Sequence, residues 1–179
     1  MARTVFKGGR VFDGTATLRS ADVVVEDGRI VDVGPGLDGD QAVEMGGRAV
    51  LPGLFDCHTH VMVNPDRLDT NRELETPFSY WFYVAIENLR KTLAIGITTV
   101  RDAAGADLGI KMAVEEGLIA GPRLRIATTA LSQTGGHGDG WMPSGYDITS
   151  PTYPGMPSGR VDGPDEMRKR VREIVRAGA

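Results

Sequence analysis

The chain has 179 residues, 41% of them hydrophobic and 25% charged, and its formal net charge is −4. That length suits one domain or slightly more, and the composition excludes a fibrous or disordered chain. Mild acidity without a lysine or arginine cluster gives a nucleic-acid partner no electrostatic footprint. The first residues, Met1 to Gly8, lack the apolar core of a signal peptide. The run Trp81 to Ile86 is far short of the roughly 18–20 residues a spanning helix needs, so no membrane partner is expected. One cysteine, Cys57, excludes an intrachain disulfide and fits a reducing, cytoplasmic compartment.

Residues 1–50 read as short strands broken by glycine turns. Thr4–Lys7 ends at Gly8-Gly9, and Arg10–Phe12 ends at Asp13-Gly14. Asp22–Glu26 and Arg29–Val33 flank Asp27-Gly28, the best hairpin signal in the chain. The expectation is a small antiparallel β unit, too thin to stand alone.

From about residue 50 the pattern alternates. Ala49–Asp56, an apolar strand with a Pro-Gly turn at Pro52-Gly53, leads into His58-Thr59-His60. A helix is expected after Thr76-Pro77, with Phe82, Ile86, Leu89 and Leu93 on its apolar face, and Gly96 stops it. Ile97–Val100 is a β-branched strand ending at Arg101-Asp102. A second helix runs from about Asp107 with Ile110, Ala113, Val114 and Leu118 on one side. Leu124–Thr128 is the next strand. A loop rich in Gly and Pro spans about Thr129 to Arg160, and a third helix from Pro164 carries Met167, Val171, Ile174 and Val175. Three βα units predict an α/β fold with a parallel sheet. A structureless loop of that length after a strand is where such folds place ligands.

His58 and His60 are spaced so that one strand presents both on one face. Two imidazoles at the carboxyl end of a strand can grip a metal ion, and zinc accepts such nitrogens readily; the plainer alternative is two hydrogen-bonded polar side chains. Asp56 has the same parity and reads as support for a histidine or as a structural hydrogen bond. Cys57, of opposite parity, reads as a small packing residue. Asp102 can face the pocket, cap the next helix or pair with Arg101. The aromatics Tyr80, Trp81, Phe82 and Tyr83 read as helix packing, with some available to a pocket rim.

The run Leu51-Pro52-Gly53-Leu54-Phe55-Asp56-Cys57-His58-Thr59-His60 resembles the first-strand signature of the amidohydrolase superfamily. Gly28–Gly34 resembles that superfamily's small β-sandwich, Gly96–Asp102 its second barrel strand, and Gly121-Pro122-Arg123 the run into its third. Thr134-Gly135-Gly136-His137-Gly138-Asp139 is similar to the branch of Xaa-Pro dipeptidase-like and carboxypeptidase-like enzymes.

The resemblance implies the N-terminal portion of a (β/α)8 TIM-like barrel: residues 1–50 as part of a small β-sandwich, and 51–179 as the first three β/α units. It implies a divalent metal, zinc first, as one or two ions held in part by His58 and His60. The other ligands, including a carboxylated lysine on the fourth strand, would lie beyond residue 179 with the remainder of the same polypeptide. The activity implied is hydrolysis of an amide or peptide C–N bond by metal-activated water, on a dipeptide such as Xaa-Pro or an N-acyl amino acid. The alternatives are a cyclic-amide hydrolase of imidazolonepropionase or dihydroorotase type, or a non-catalytic metal-binding fragment. His137, among glycines, reads as a catalytic, substrate-binding residue meeting the scissile carbonyl or the substrate carboxylate; otherwise it is a solvated loop histidine. A homo-oligomer is compatible with all of this.

Overall fold

The Asp27-Gly28 turn forms as expected: both residues have positive φ, 50° and 70°, as a two-residue turn between twisted antiparallel strands demands. It joins β2 (Leu18–Glu26) to β3 (Arg29–Gly34). The computed structural model describes residues 2–15, 18–63, 75–148, 153 and 155–179. It divides into two compact units, Met1–Pro52 and Gly53–Ala179.

In the first unit, β1 (Thr4–Phe12) does not stop at the glycine pair. Its pairing with β2 slips between Phe6 and Gly9, and the chain continues through a bulge with Gly8 at φ 67°. The Asp22 carboxylate holds that bulge, accepting the Gly8 N–H at 2.9 Å and the Leu37 N–H at 3.0 Å. The sheet is mixed, not antiparallel: β4 (Gln41–Glu44) and β5 (Ala49–Val50) both run parallel to β1. Val11, Ala21 and Val23 form its buried core.

The apolar segment Ala49–Asp56 contributes to two strands, parted at Pro52-Gly53. β5 belongs to the first sheet, and β6 (Leu54–Thr59) opens the second. Pro52 has no N–H to give a ladder, so pairing breaks between them. Gly53 is required on the far side, because a Cβ there would collide with the Thr98 side chain.

The second unit carries the parallel sheet β6-β7-β8, with β7 at Ile97–Asp102 and β8 at Arg123–Ile126. Helices α1 (Tyr80–Ala94), α2 (Leu108–Glu115) and α3 (Gly163–Arg176) follow the three strands in turn. Val61, Leu89, Val100, Ile110, Leu124 and Ile126 anchor its core. The βα alternation thus holds, with local differences. The segment at Pro77 forms a tight turn, its carbonyl accepting from the Tyr80 N–H at 2.9 Å, and α1 starts three residues later than the Thr76-Pro77 signal implies. The buried side of α1 is Ala85 and Leu89, with Trp81 and Phe82 packed beside them, while Ile86 and Leu93 are exposed. Asp107 caps α2, accepting from the Ile110 N–H at 2.9 Å, but Leu118 lies past the helix and is 75% exposed. On α3 only Ile174 of the four expected apolar positions is buried; Met167, Val171 and Val175 face outward. No helix among the described residues is long and apolar enough to cross a membrane.

Candidate active site

The carboxyl end of β6 does not follow simple alternation. Its register against β7 slips between Asp56 and Thr59, and His60 lies just past the strand. The two imidazoles nevertheless come together, with ring centroids 5.3 Å apart and planes at 75°. Two imidazoles bound to one ion at about 2.1 Å, with a tetrahedral angle between the bonds, have centroids about 5 Å apart. The separation of the pair is the one a shared ion requires. Nδ1 of His60 sits 3.3 Å from the Ala104 carbonyl oxygen. That oxygen only accepts, so the contact selects the Nδ1–H tautomer and leaves the Nε2 lone pair for a ligand bond. Among the described residues no third His, Cys, Asp or Glu completes a metal-sized group with them.

Asp56 supports the pair through the backbone: its carboxylate accepts the His58 N–H at 3.0 Å, and no ring N–H. Cys57 is exposed, not packed: nothing among the described residues covers it.

Asp102 neither caps α2, which Asp107 does, nor forms an ion pair with Arg101 among the described residues. It is fully buried, and its two carboxylate oxygens accept the Val61 N–H at 2.7 Å and the Ala106 N–H at 3.0 Å. It thereby ties the turn after β6 to the turn after β7. Burial pushes its pKa up, against the pull of those two N–H groups. Its own carbonyl accepts the Ala127 N–H at 3.0 Å, which joins β8 to the same knot.

Thr128 follows β8 and is also fully buried. It has φ 58°, and the Thr129 N–H reaches back over it to the Ala127 carbonyl at 2.7 Å. A β-branched residue in such a three-residue turn is strained, and strain of this kind gathers at functional strand ends. Its hydroxyl has no hydrogen-bond partner among the described residues. Nothing in the local sequence signals this, because threonine here reads as an ordinary end of a β-branched strand.

His137 is exposed, and the segment around it is braced. Asp162 accepts from the Thr134 N–H at 3.0 Å and from its hydroxyl at 2.5 Å. Asp139 accepts the Gly135 N–H at 2.6 Å, and the Ser132 hydroxyl accepts the Gly138 N–H at 3.0 Å. Ser132 is itself bonded on both sides, to the Gly159 carbonyl and the Val161 N–H. The 129–160 stretch is therefore built, not open, in its described residues. The residues that brace it, Ser132, Arg160 and Asp162, lie up to 28 positions from their partners, so no local pattern announces them.

Residues 49–179 match the model of the amidohydrolase family. The chain belongs to that family. This amidohydrolase chain is 32% identical over 195 aligned residues to ochratoxinase of Aspergillus niger, with 98% of the chain and 40% of the relative covered. It is 39% identical over 107 residues to imidazolonepropionase of Micrococcus luteus, with 58% of the chain and 23% of the relative covered. Among solved structures it resembles a prolidase complexed with N-methylphosphonate-L-proline. The TM-score there is 0.79 at 36% identity, over 99% of this chain and 45% of that one. The chain thus spans less than half the length of these relatives.

Proposed function

We propose that this amidohydrolase chain forms part of a metal-dependent hydrolase that cleaves an amide or peptide C–N bond in a small substrate. The substrate we favour is a dipeptide with a C-terminal proline or an N-acyl amino acid. The observation that carries this reading is the His58–His60 pair, 5.3 Å apart at the carboxyl end of β6, with the His60 tautomer set by Ala104. In this reading β6, β7 and β8 are the first three strands of a (β/α)8 barrel, residues 51–179 their β/α units, and residues 1–50 part of a β-sandwich. Carboxyl ends of barrel strands are where such folds hold their chemistry. The likeness to a prolidase structure supports proline-containing substrates. The likeness to imidazolonepropionase supports a second reading, a cyclic amide, for the same centre.

His58 and His60 would each give one nitrogen to a divalent ion, zinc first. A bound divalent ion supplies Lewis acidity toward a carbonyl and a water of lowered pKa. His60 keeps its orientation through the Ala104 carbonyl, and Asp56 holds the His58 backbone. His137, exposed on a braced segment, would donate a hydrogen bond to the scissile carbonyl or the substrate carboxylate. The rest of the polypeptide would complete the coordination shell, and a cytoplasmic setting suits the exposed Cys57.

The test is metal per chain and turnover in full-length protein, with dipeptides, N-acyl amino acids and cyclic amides as the panel. His58→Ala and His60→Ala should lose metal. His137→Ala should keep metal and lose about 10²-fold in kcat/KM, the scale of a lost donor at a developing oxyanion. Full metal retention in both strand variants would overturn the metal assignment. Metal loss in His137→Ala would make that residue a ligand instead.

A further inference from the structure

An exposed histidine on a glycine-rich loop is a poor tool unless the loop is fixed. Three glycines surround His137, and Gly135 has φ 71°, so the backbone itself imposes little. What fixes it comes from the far end of the loop. Arg160 Nη1 lies 2.8 Å from one oxygen of Asp139 and 3.0 Å from an oxygen of Asp147. The other Asp139 oxygen accepts the Gly135 N–H. The Asp139 side chain is only 6% exposed. One carboxylate therefore closes the turn that carries His137 and is itself held by one guanidinium.

We propose that Arg160 is the positioning residue for His137: through Asp139 it sets the Gly135–Asp139 turn and so the place from which His137 meets the substrate. This rests on the functional reading of His137 given above. Several features favour it over a purely structural ion pair. Arg160 begins at the foot of the loop, where Ser132 and Arg160 form a parallel bridge. It therefore couples a fixed base to a turn 21 residues earlier. Its Asp147 contact lies in the small antiparallel turn bridged at Trp141 and Asp147, so both lobes of the loop meet at one guanidinium. Whatever stability this ion pair adds, it also fixes geometry. A donor displaced by about 1 Å can cost on the order of 10²-fold in rate. Both contacts come from the one nitrogen Nη1, whose two N–H groups point in fixed directions in the guanidinium plane, which a rotating ammonium does not reproduce.

The experiment is a double-mutant cycle in the full-length protein with a dipeptide ending in proline. The variants are Arg160→Ala, His137→Ala and both together, with metal per chain and thermal midpoint measured for each. Arg160→Ala should lower kcat/KM by roughly 10-fold or more with metal content unchanged. In the His137→Ala background it should cost less than a further twofold. Arg160→Lys, which keeps the charge but not the planar Nη1 donor at its place, should recover only part of the loss. Multiplying losses in the double variant would make Arg160 a structural or direct substrate contact and overturn the proposal. So would wild-type activity in Arg160→Ala when His137→Ala is impaired. Wild-type activity in His137→Ala would instead remove the functional reading, and the positioning role with it. Should Arg160→Ala fail to fold, Arg160→Gln and Asp139→Asn run the same cycle.

Discussion

The imidazole of His60 is joined to Thr128 by a single peptide group. The Ala104 carbonyl oxygen faces His60 Nδ1 at 3.3 Å, and the N–H of the same peptide, on Gly105, donates to the Thr128 carbonyl at 2.8 Å. Hydrogen bonds at both ends of one peptide polarise it and fix its plane. The strained turn at Thr128 thereby sets the carbonyl that orients a metal-ligand candidate.

Gly105 is the weak link of this relay. Its φ is 110°, a conformation that side-chain-bearing residues rarely adopt. Gly105→Ala should destabilise the fold by about 1–3 kcal/mol. It should also loosen the His60 tautomer preference. Urea unfolding checks the first, and 15N shifts of the His60 ring check the second; an unchanged ring signal would show that Ala104 does not orient it.

Asp102 accepts two N–H groups from two different turns, one on each oxygen. Asn offers only one acceptor oxygen there, so Asp102→Asn leaves one buried N–H facing an NH2. A loss of about 1–3 kcal/mol in stability is expected. Denaturant midpoints measure it, and a variant as stable as the parent would mean that one of the two bonds is dispensable.

The loop brace should persist into acid. The Gly135 N–H, then Arg160, hold the Asp139 carboxyl below its ordinary 3.8, and the Thr134 hydroxyl, then its N–H, do the same for Asp162. For a carboxylate whose folded pKa is depressed, the stabilisation is complete above the unfolded value and fades as pH falls through the folded one. Between neutral pH and about 4 the brace should therefore stay intact, and it should open only below 3.8. Carboxyl 13C titration of Asp139 gives the midpoint. A midpoint above 3.8 would contradict the hydrogen-bond pattern.

Expressed by itself, the 179-residue chain should self-associate. Phe55 on the edge strand β6 is 70% exposed, Ile95 71% and Val175 62%. Edge strands and large apolar surface of this kind recruit partners. Light scattering and dye binding would show it. A monodisperse monomer that binds no hydrophobic dye would mean that these faces are covered in solution.

Much of the architecture was legible locally. Asp27-Gly28 specified its turn because few residues tolerate positive φ. The βα alternation followed from β-branched strands and helical spacing between glycines, and the second helix begins at Asp107 as its pattern implied. The His58–His60 pair was visible as two residues of one type beside a strand end. Other features depended on partners distant in sequence. Alternation could not foresee the slip between Asp56 and Thr59, because register depends on β7. The apolar stripe of α1 included Ile86 and Leu93, but which side is buried was decided by the sheet it meets. Asp102 read equally as a cap for the next helix or a partner of Arg101 and is neither, since its oxygens are taken by N–H groups 41 residues before and four after. Arg160 read as the end of a loop until the fold brought it to Asp139. Local sequence sets backbone preference and side-chain type, whereas the pairing of a buried or half-buried polar group is settled by whichever complementary group the fold brings within about 3 Å.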